Sequence, residues 1–401
     1  MTPSARLAAA VDVLAALEQT AEPADKALRE FFRARRYAGS KDRAAVAERV
    51  YDCLRHYYSY QWRMQSEAPR ALVIASVLAE GAAPEEFFTG TAYGPAALSE
   101  AEAAAIAATP AAPPLNVQGE FPEWLQPELS KAFGVELLPE MQAMGGRAAI
   151  DIRVNTLKTT RHALRSALAS EGFEAEPTPH AATGLRLSGA TTSKLSASPL
   201  FLEGHFEFQD EAAQVASLLC ATKPGLRVLD YAAGGGGKAL ALAASMQNTG
   251  TLVAHDISAA RLAMLPPRAE RAGIKIITTS SQPQSDLFDI VLLDSPCSGT
   301  GTWRRQPELR VRLTPQRLAD VIALQADLLN TCAALVSPGG RLVYATCSVL
   351  PAENDAKIAA FLAAHSDFTV LPVSTTDKFF HASPYRTQTD GFFTAVLQRR
   401  S

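Results

Sequence analysis

The chain has 401 residues, 47% hydrophobic and 20% charged, with a formal net charge of -3. This is globular composition with room for two or three domains; it excludes a polycation, and no apolar run of about 18 residues offers a membrane span. The five cysteines (Cys53, Cys220, Cys297, Cys332 and Cys347) are odd in number and form no CxxC pair, which argues against a disulfide framework or a metal site and fits a reducing cytoplasm.

In chain order, residues 1–115 predict an all-helical domain. Its start, MTPSARLAAAVDVLAALEQT, lacks a signal-peptide layout, because Leu7, Val11, Leu14 and Leu17 recur at helical spacing. Val46, Val50 and Leu54 repeat the pattern. Between Arg29 and Arg70 there are ten Lys or Arg against five Asp or Glu. Such a face can meet phosphate although the total charge is negative; a solvated helix surface is the plainer alternative. The stretch TPAAPPLNVQGEFP (109–122) carries four prolines and reads as a linker.

A second module is predicted over 120–205. EWLQPELSKAF and VELLPEMQAM read as short helices, DIRVNTL (151–157) as a strand, and RHALRSALASEG as a helix ending at Gly172. FEAEPTP, GLRLSG and FEFQD supply further short strands, giving a small α+β unit. From 206 to 401 strands and helices alternate, the mark of a doubly wound α/β sheet of seven mostly parallel strands. These are LRVLDYA, TLVAHD, IKIITT, DIVLLD, RLVYAT, FTVLPV and GFFTAVLQR, and the helix SAARLAMLPPRAERAG carries a Pro-Pro break.

After the first of these strands comes DYAAGGGGKAL (230–240). Glycines between strand and helix let a backbone approach a ligand, and the helix start offers free N–H groups. The phosphate-loop and dinucleotide patterns both fail, with Ala239 following the lysine. Asp230, Asp256 and Asp294 close three strands at one sheet edge, where open α/β sheets bind ligands. A carboxylate-rich edge suits a cationic, ribose-bearing cofactor, S-adenosylmethionine being the candidate; turn capping is the alternative for any single acid.

Cys297 in LLDSPCSGTG and Cys347 in YATCSVLP share a grammar: apolar run, strand end, cysteine, serine. Cys53, Cys220 and Cys332 read as core residues. Cytosine C5 is a poor nucleophile until a thiolate adds to C6 and turns the ring into an enamine; a base must later take the C5 proton. Neighbouring strands lie about 4.8 Å apart, so two cysteines at adjacent strand ends can serve one base. Asp294 is placed to accept from the cytosine amino group.

VLDYAAGGGGKAL, VLLDSPCSGTGTWRRQPE and LVYATCSVLPAEND resemble the signature motifs of the Sun/Nop-type RNA (cytosine-5) methyltransferases. The likeness extends to DIRVNTLK and FEFQDEAAQVASLL and covers about residues 120–401. FFRARRYAGSKDRAAVAERVYDCLRHYY resembles, more loosely, the NusB-like RNA-binding domain of the bacterial Sun-type 16S ribosomal RNA branch. The resemblance implies a Rossmann-like S-adenosylmethionine methyltransferase sheet, a ferredoxin-like RNA-binding module and a ribosomal RNA partner, in a cytoplasmic monomer without metal. It implies Cys347 as nucleophile, Cys297 as the thiol of product release, Asp294 beside the base, and Lys238 near cofactor and reacting centre. The cofactor residues it implies are Ala233, Gly234, Gly235, Gly236, Gly237, Lys238, Asp256, Arg261 and Asp294, and the RNA contacts are Arg153, Asn155, Arg304 and Arg305.

Departures from the family pattern are visible. DAPC is DSPC, CAAPGGKT is AAGGGGKA, and PEEN is PAEN, which keeps Glu353 and Asn354. The third strand ends in Thr279, Ser280 and Ser281 where the family has an aspartate near adenine. A DNA cytosine-5 enzyme, with Cys297 as nucleophile, and a non-catalytic RNA-binding factor on the same fold are the two alternatives.

Overall fold

The computed structural model describes residues 1–91, 93–109, 111–189, 191–282 and 284–401, so Pro110 of the proline-rich stretch lies outside the described residues. Contacts divide the chain into two units: Met1–Gly146 with Trp303–Leu313, and Arg147–Thr302 with Thr314–Ser401. The sequence places a boundary at the proline-rich stretch, whereas the contacts place it at Gly146.

The first unit is helical, as its periodicity predicts. Its principal helices are Pro3–Glu18, Ala24–Arg33, Ser40–Arg55, Tyr57–Met64 and Pro69–Ala79. Thr2 caps the first, its hydroxyl accepting from the Ala5 amide at 3.1 Å. Val13, Val46, Val50 and Ile74 are fully buried in the core with Cys53.

Residues 303–313, which directly follow the Cys297 loop in sequence, complete this unit. Trp303 and Arg310 are fully buried. The Arg310 guanidinium lies 5.3 Å from the Trp303 ring and donates to the carbonyls of Arg55 (2.9 Å) and Met144 (3.2 Å). Glu308 accepts from the Ala24 amide at 3.0 Å, and Arg312 donates to the carbonyls of Glu22 and Leu17. Each bond satisfies a buried or helix-end backbone group, which explains why polar residues are found there.

The second unit begins with a small antiparallel sheet: β1 (Ile150–Val154), β2 (Glu174–Pro177), β3 (Gly184–Ser188) and β4 (Phe206–Phe208), in the order β2-β3-β1-β4. The helix Arg161–Ser170 buries Leu164 and Leu168 against Ile152 and Leu185. The large sheet contains β5 (Arg227–Asp230), β6 (Thr251–His255), β7 (Ile277–Ser280), β8 (Phe288–Asp294), β9 (Val336–Thr346), β10 (Phe368–Leu371), β11 (Phe380–Ala382) and β12 (Phe392–Arg399). Its order is β10-β12-β9-β8-β5-β6-β7, with β11 paired to β12. Strands β5 to β9 are parallel, and β12 runs antiparallel to its neighbours. Leu229, Val291, Leu293, Leu342 and Tyr344 are fully buried, which is why these strands read as continuous apolar runs.

Three details differ from the sequence reading. Among the described residues, strand β11 makes eight strands rather than seven; it is too short to leave a pattern. Strand β9 begins before RLVYAT, because Val336 already pairs with Phe288 ahead of a register irregularity. Strand β7 begins only at Ile277. The Pro-Pro pair does break its helix, into Ala259–Leu262 and Leu265–Ala272, with the prolines in the first turn of the second, where no helical N–H is needed.

Trp303→Ala should lower the stability of the helical unit by about 3–5 kcal/mol, measurable as an earlier urea transition in far-ultraviolet circular dichroism.

Candidate active site at the sheet edge

Asp294 ends β8 opposite Ala345 of β9, and both chains then leave the sheet on the same side. The Ser295 amide donates to the Ala345 carbonyl at 2.8 Å and the Gly301 amide to the Cys347 carbonyl at 2.9 Å, so the two loops are laced together. Gly301 must be glycine: a Cβ there would lie 2.1 Å from the Gly391 carbonyl oxygen. The result is that the sulfurs of Cys297 and Cys347 lie 3.3 Å apart. Both residues are half-buried, whereas Cys53, Cys220 and Cys332 are fully buried in apolar clusters. The Cys297 thiol is pushed well above its ordinary range, first by its hydrogen bond with Cys347 and then by removal from water.

Lys238 opens the helix after β5 and reaches across to Asp294, Nζ to Oδ2 at 2.6 Å, with its ammonium 5.1 Å from the Phe392 ring centre. Burial works against its charge, but Asp294, Asp230 and the Cys347 sulfur outweigh it, so the lysine is held cationic. Asp230 is fully buried without a side-chain partner for either oxygen, its charged form favoured only by the Ala239 amide and the Lys238 cation. Burial first, and then the neighbouring Asp294 charge, push its carboxyl up to about 7.

The glycine loop bends through two left-handed residues, Gly234 (φ 53°) and Gly236 (φ 82°). A Cβ at Gly236 would lie 2.2 Å from Leu265, so the loop wraps tightly over the helix Leu265–Ala272. The Gly235 carbonyl accepts from Arg268 and the Ala233 amide donates to the His255 carbonyl. Asp256 is buried; it accepts from the Gly234 amide (2.9 Å) and the Ser258 amide (2.8 Å), and Arg261 stands 3.7 Å away. The open backbone cradle and the orphaned Asp230 carboxylate fit a small cationic ligand such as S-adenosylmethionine. At the end of β7, Ser280 sits opposite His255 and its hydroxyl accepts from Gln284 at 3.0 Å.

The structure thus brings Cys297, Cys347, Asp294 and Lys238 together, with the glycine loop and Asp256 on the same edge. The residues expected to touch RNA are placed differently. Arg153 is buried and donates to Gln209 and to the Gly237 carbonyl at 2.8 Å; burial lowers its guanidinium to about 10. Asn155 is buried as well, its amide bonded to the carbonyls of Gly204 and Ala272, both at 2.8 Å. Both side chains fasten the β1 end to the helices that follow β5 and β6. Arg304 is buried and Arg305 half-buried in the segment that completes the helical unit; both engage neighbours within the protein, which weighs against a role as open phosphate contacts.

Two features escaped the sequence reading. Asp230 was legible as one of three acids on a ligand-binding edge, but its isolation was not, because that is a matter of three-dimensional burial. Glu353 is fully buried beneath both cysteine loops; the retained PAEN motif and the serine after each cysteine were its signal.

Residues 217–398 match the sequence family described as 16S rRNA methyltransferase RsmB/F, and residues 121–193 match the ferredoxin-like domain of RsmF/B-like methyltransferases. The chain is 34% identical over 304 residues to a probable ribosomal RNA small subunit methyltransferase B from Synechocystis, covering 71% of this chain and 68% of that protein. Among solved structures, PH0851 superposes with a TM-score of 0.79 at 27% identity over 100% of this chain and 99% of that one. A methyltransferase homologue from Pyrococcus horikoshii gives 0.62 at 26% identity, covering 71% of this chain and 97% of that one.

The raised Asp230 carboxyl has a sign that can be tested. Its folded value lies above the unfolded one, so wild-type stability falls as pH rises from about 4 to about 7 and is level beyond that. Asp230→Asn should therefore gain on the wild type over that window, by up to about 4 kcal/mol, in paired urea titrations at pH 4.5 and pH 8.

Proposed function

The chain belongs to the RsmB/F family of 16S rRNA methyltransferases, and from that premise we propose that it methylates C5 of a cytosine in 16S ribosomal RNA through a covalent adduct between Cys347 and C6. The observation that supports this most is the 3.3 Å separation of two half-buried sulfurs beside an acid–lysine pair. A single thiol at a strand end has a structural explanation; two that converge at one solvent-reachable point do not.

S-adenosylmethionine, bound against the glycine loop, supplies an electrophilic methyl group. The protein does the rest. Cys347 attacks C6 of a cytosine that is unpaired or turned out of its helix. Asp294 accepts from Lys238 through Oδ2, leaving Oδ1 to accept from the cytosine amino group and fix the ring. Lys238, held cationic, offsets the charge that develops as the adduct forms. Cys297 gives its thiol proton to the departing Cys347 sulfur and takes the C5 proton in its place, so that the C6–S bond breaks and the adduct resolves.

The helical unit offers a grip for the RNA backbone. Arg33, Arg36 and Lys41 are exposed around Tyr37, itself 74% exposed. Cations beside an unpacked aromatic ring are what a single strand uses for phosphate contact and base stacking.

Purified protein, 16S rRNA and S-adenosylmethionine labelled in the methyl group provide the test, with nucleoside analysis for 5-methylcytosine. Cys347→Ala should reduce transfer by at least about a thousandfold. Cys297→Ala should accumulate an RNA–protein adduct that survives denaturation. Adduct in Cys347→Ala with none in Cys297→Ala would reverse the roles and favour chemistry of the DNA cytosine-5 kind. Replacing Arg33, Arg36 and Lys41 together by Ala should weaken RNA binding and flatten the log–log salt slope by about 2, in filter-binding titrations over a range of salt.

A further inference from the structure

Glu353 is fully buried, yet it is far from isolated. Its Oε1 accepts from the Ser298 amide at 2.8 Å and from Gln325 Nε2 at 2.9 Å; its Oε2 accepts from the hydroxyl of Ser298 at 2.5 Å and from that of Ser348. Ser298 and Ser348 are the residues that follow Cys297 and Cys347. One carboxylate therefore holds the residue after each thiol. The neighbouring Asn354 repeats the pattern, accepting from Thr346 at 2.7 Å and donating to the Ser348 carbonyl at 2.9 Å. Gln325 extends the tie, donating also to the Pro296 carbonyl at 3.0 Å.

We propose that Glu353 is the positioning residue of the cysteine pair, fixing both loops in register and placing its negative charge on the Cys297 side, so that Cys347 is the sulfur free to attack. The inference rests on reading the pair as nucleophile and release thiol. A neutral glutamine has the shape of a glutamate but cannot accept two hydroxyl protons at its amide nitrogen, and it brings no charge. Four donors converge here on one group, an arrangement that suits an anion. That anion lies beside Cys297 and reinforces the upward push already exerted by Cys347 and by burial. The other groups facing the pair act differently. Tyr344 is buried and donates its hydroxyl to the Glu353 carbonyl at 2.8 Å, so it brings no charge. The cation of Lys238 acts on the Cys347 side, with its partner Asp294. Negative charge near one sulfur and positive charge near the other divide the labour between two chemically identical side chains.

The test needs no RNA. The full chain is alkylated with iodoacetamide across pH 6–10, and each cysteine is followed separately by peptide mass. In the native chain Cys347 should react at lower pH than Cys297. In Glu353→Gln the Cys297 profile should move to lower pH, giving a roughly tenfold faster reaction at pH 8 for a one-unit shift. Glu353→Asp keeps the charge and should stay near the native profile, whereas a merely structural role would disturb both variants alike. Binding of S-adenosylmethionine, expected to be unchanged, reports that each variant is folded. Should Glu353→Gln fail to fold, Ser348→Ala, which keeps the charge, should leave Cys297 as slow as in the native chain. The proposal is overturned by a Cys297 profile that does not move in folded Glu353→Gln, by a faster Cys297 in Ser348→Ala, or by a native chain in which Cys297 reacts first. A chain with the expected thiol order that transfers no methyl group to RNA would refute the reaction and leave the role of Glu353 in the pair intact.

Discussion

Strands β8 and β9 lie side by side and parallel, with Asp294 opposite Ala345, and each chain turns off the sheet within a few residues of that point. The spacing of two hydrogen-bonded strands then fixes the separation of the cysteines beyond them. A slip of the register would carry Cys347 away from Cys297 and move buried side chains of β9 to the wrong face. The apolar runs of β8 and β9, covered on both sides, make such a slip prohibitive. The chemistry at the edge thus inherits its precision from the core beneath it. Positions such as Leu293 and Tyr344, fully buried within these strands, belong to the site in that sense.

The second determinant is charge held out of water. Asp230, Asp256 and Asp294 share one edge with a single lysine at its centre. Asp256 satisfies its oxygens on the loops around it, and Asp294 spends one oxygen on Lys238. Asp230 has neither recourse. An unpaired buried carboxyl opposes folding, and such groups persist mainly where a function needs them. The glycine loop belongs to the same economy. Its left-handed residues turn the backbone tightly at the sheet edge, and Arg153 and Arg268 hold its carbonyls.

Much of this was legible in the sequence, and the reasons are specific. The strands of the large sheet announced themselves because burial on both faces leaves uninterrupted Val, Leu and Ile. Cys297 and Cys347 stood out because they sit past strand ends, while Cys53 and Cys332 sit within helices and Cys220 caps the end of one. What stayed hidden depends on contacts distant in sequence. Arg153 and Asn155 carry polar groups that look made for a ligand, and only the folded chain shows them spent on carbonyls of Gly237, Gly204 and Ala272. Arg304 and Arg305 followed a catalytic motif closely enough to suggest phosphate, yet their segment packs with helices more than two hundred residues earlier. Glu353 was legible as a retained member of the PAEN motif, but its four donors are brought together only by the fold.

The segment Trp303–Leu313 bears on how such a protein is inherited. It is coded inside the catalytic half yet supplies interior residues to the helical half. A recombination at the proline-rich stretch would transplant the helices without their last piece and leave a tryptophan and an arginine stranded on the recipient. A cut there would therefore leave the helices short of two of their largest buried side chains.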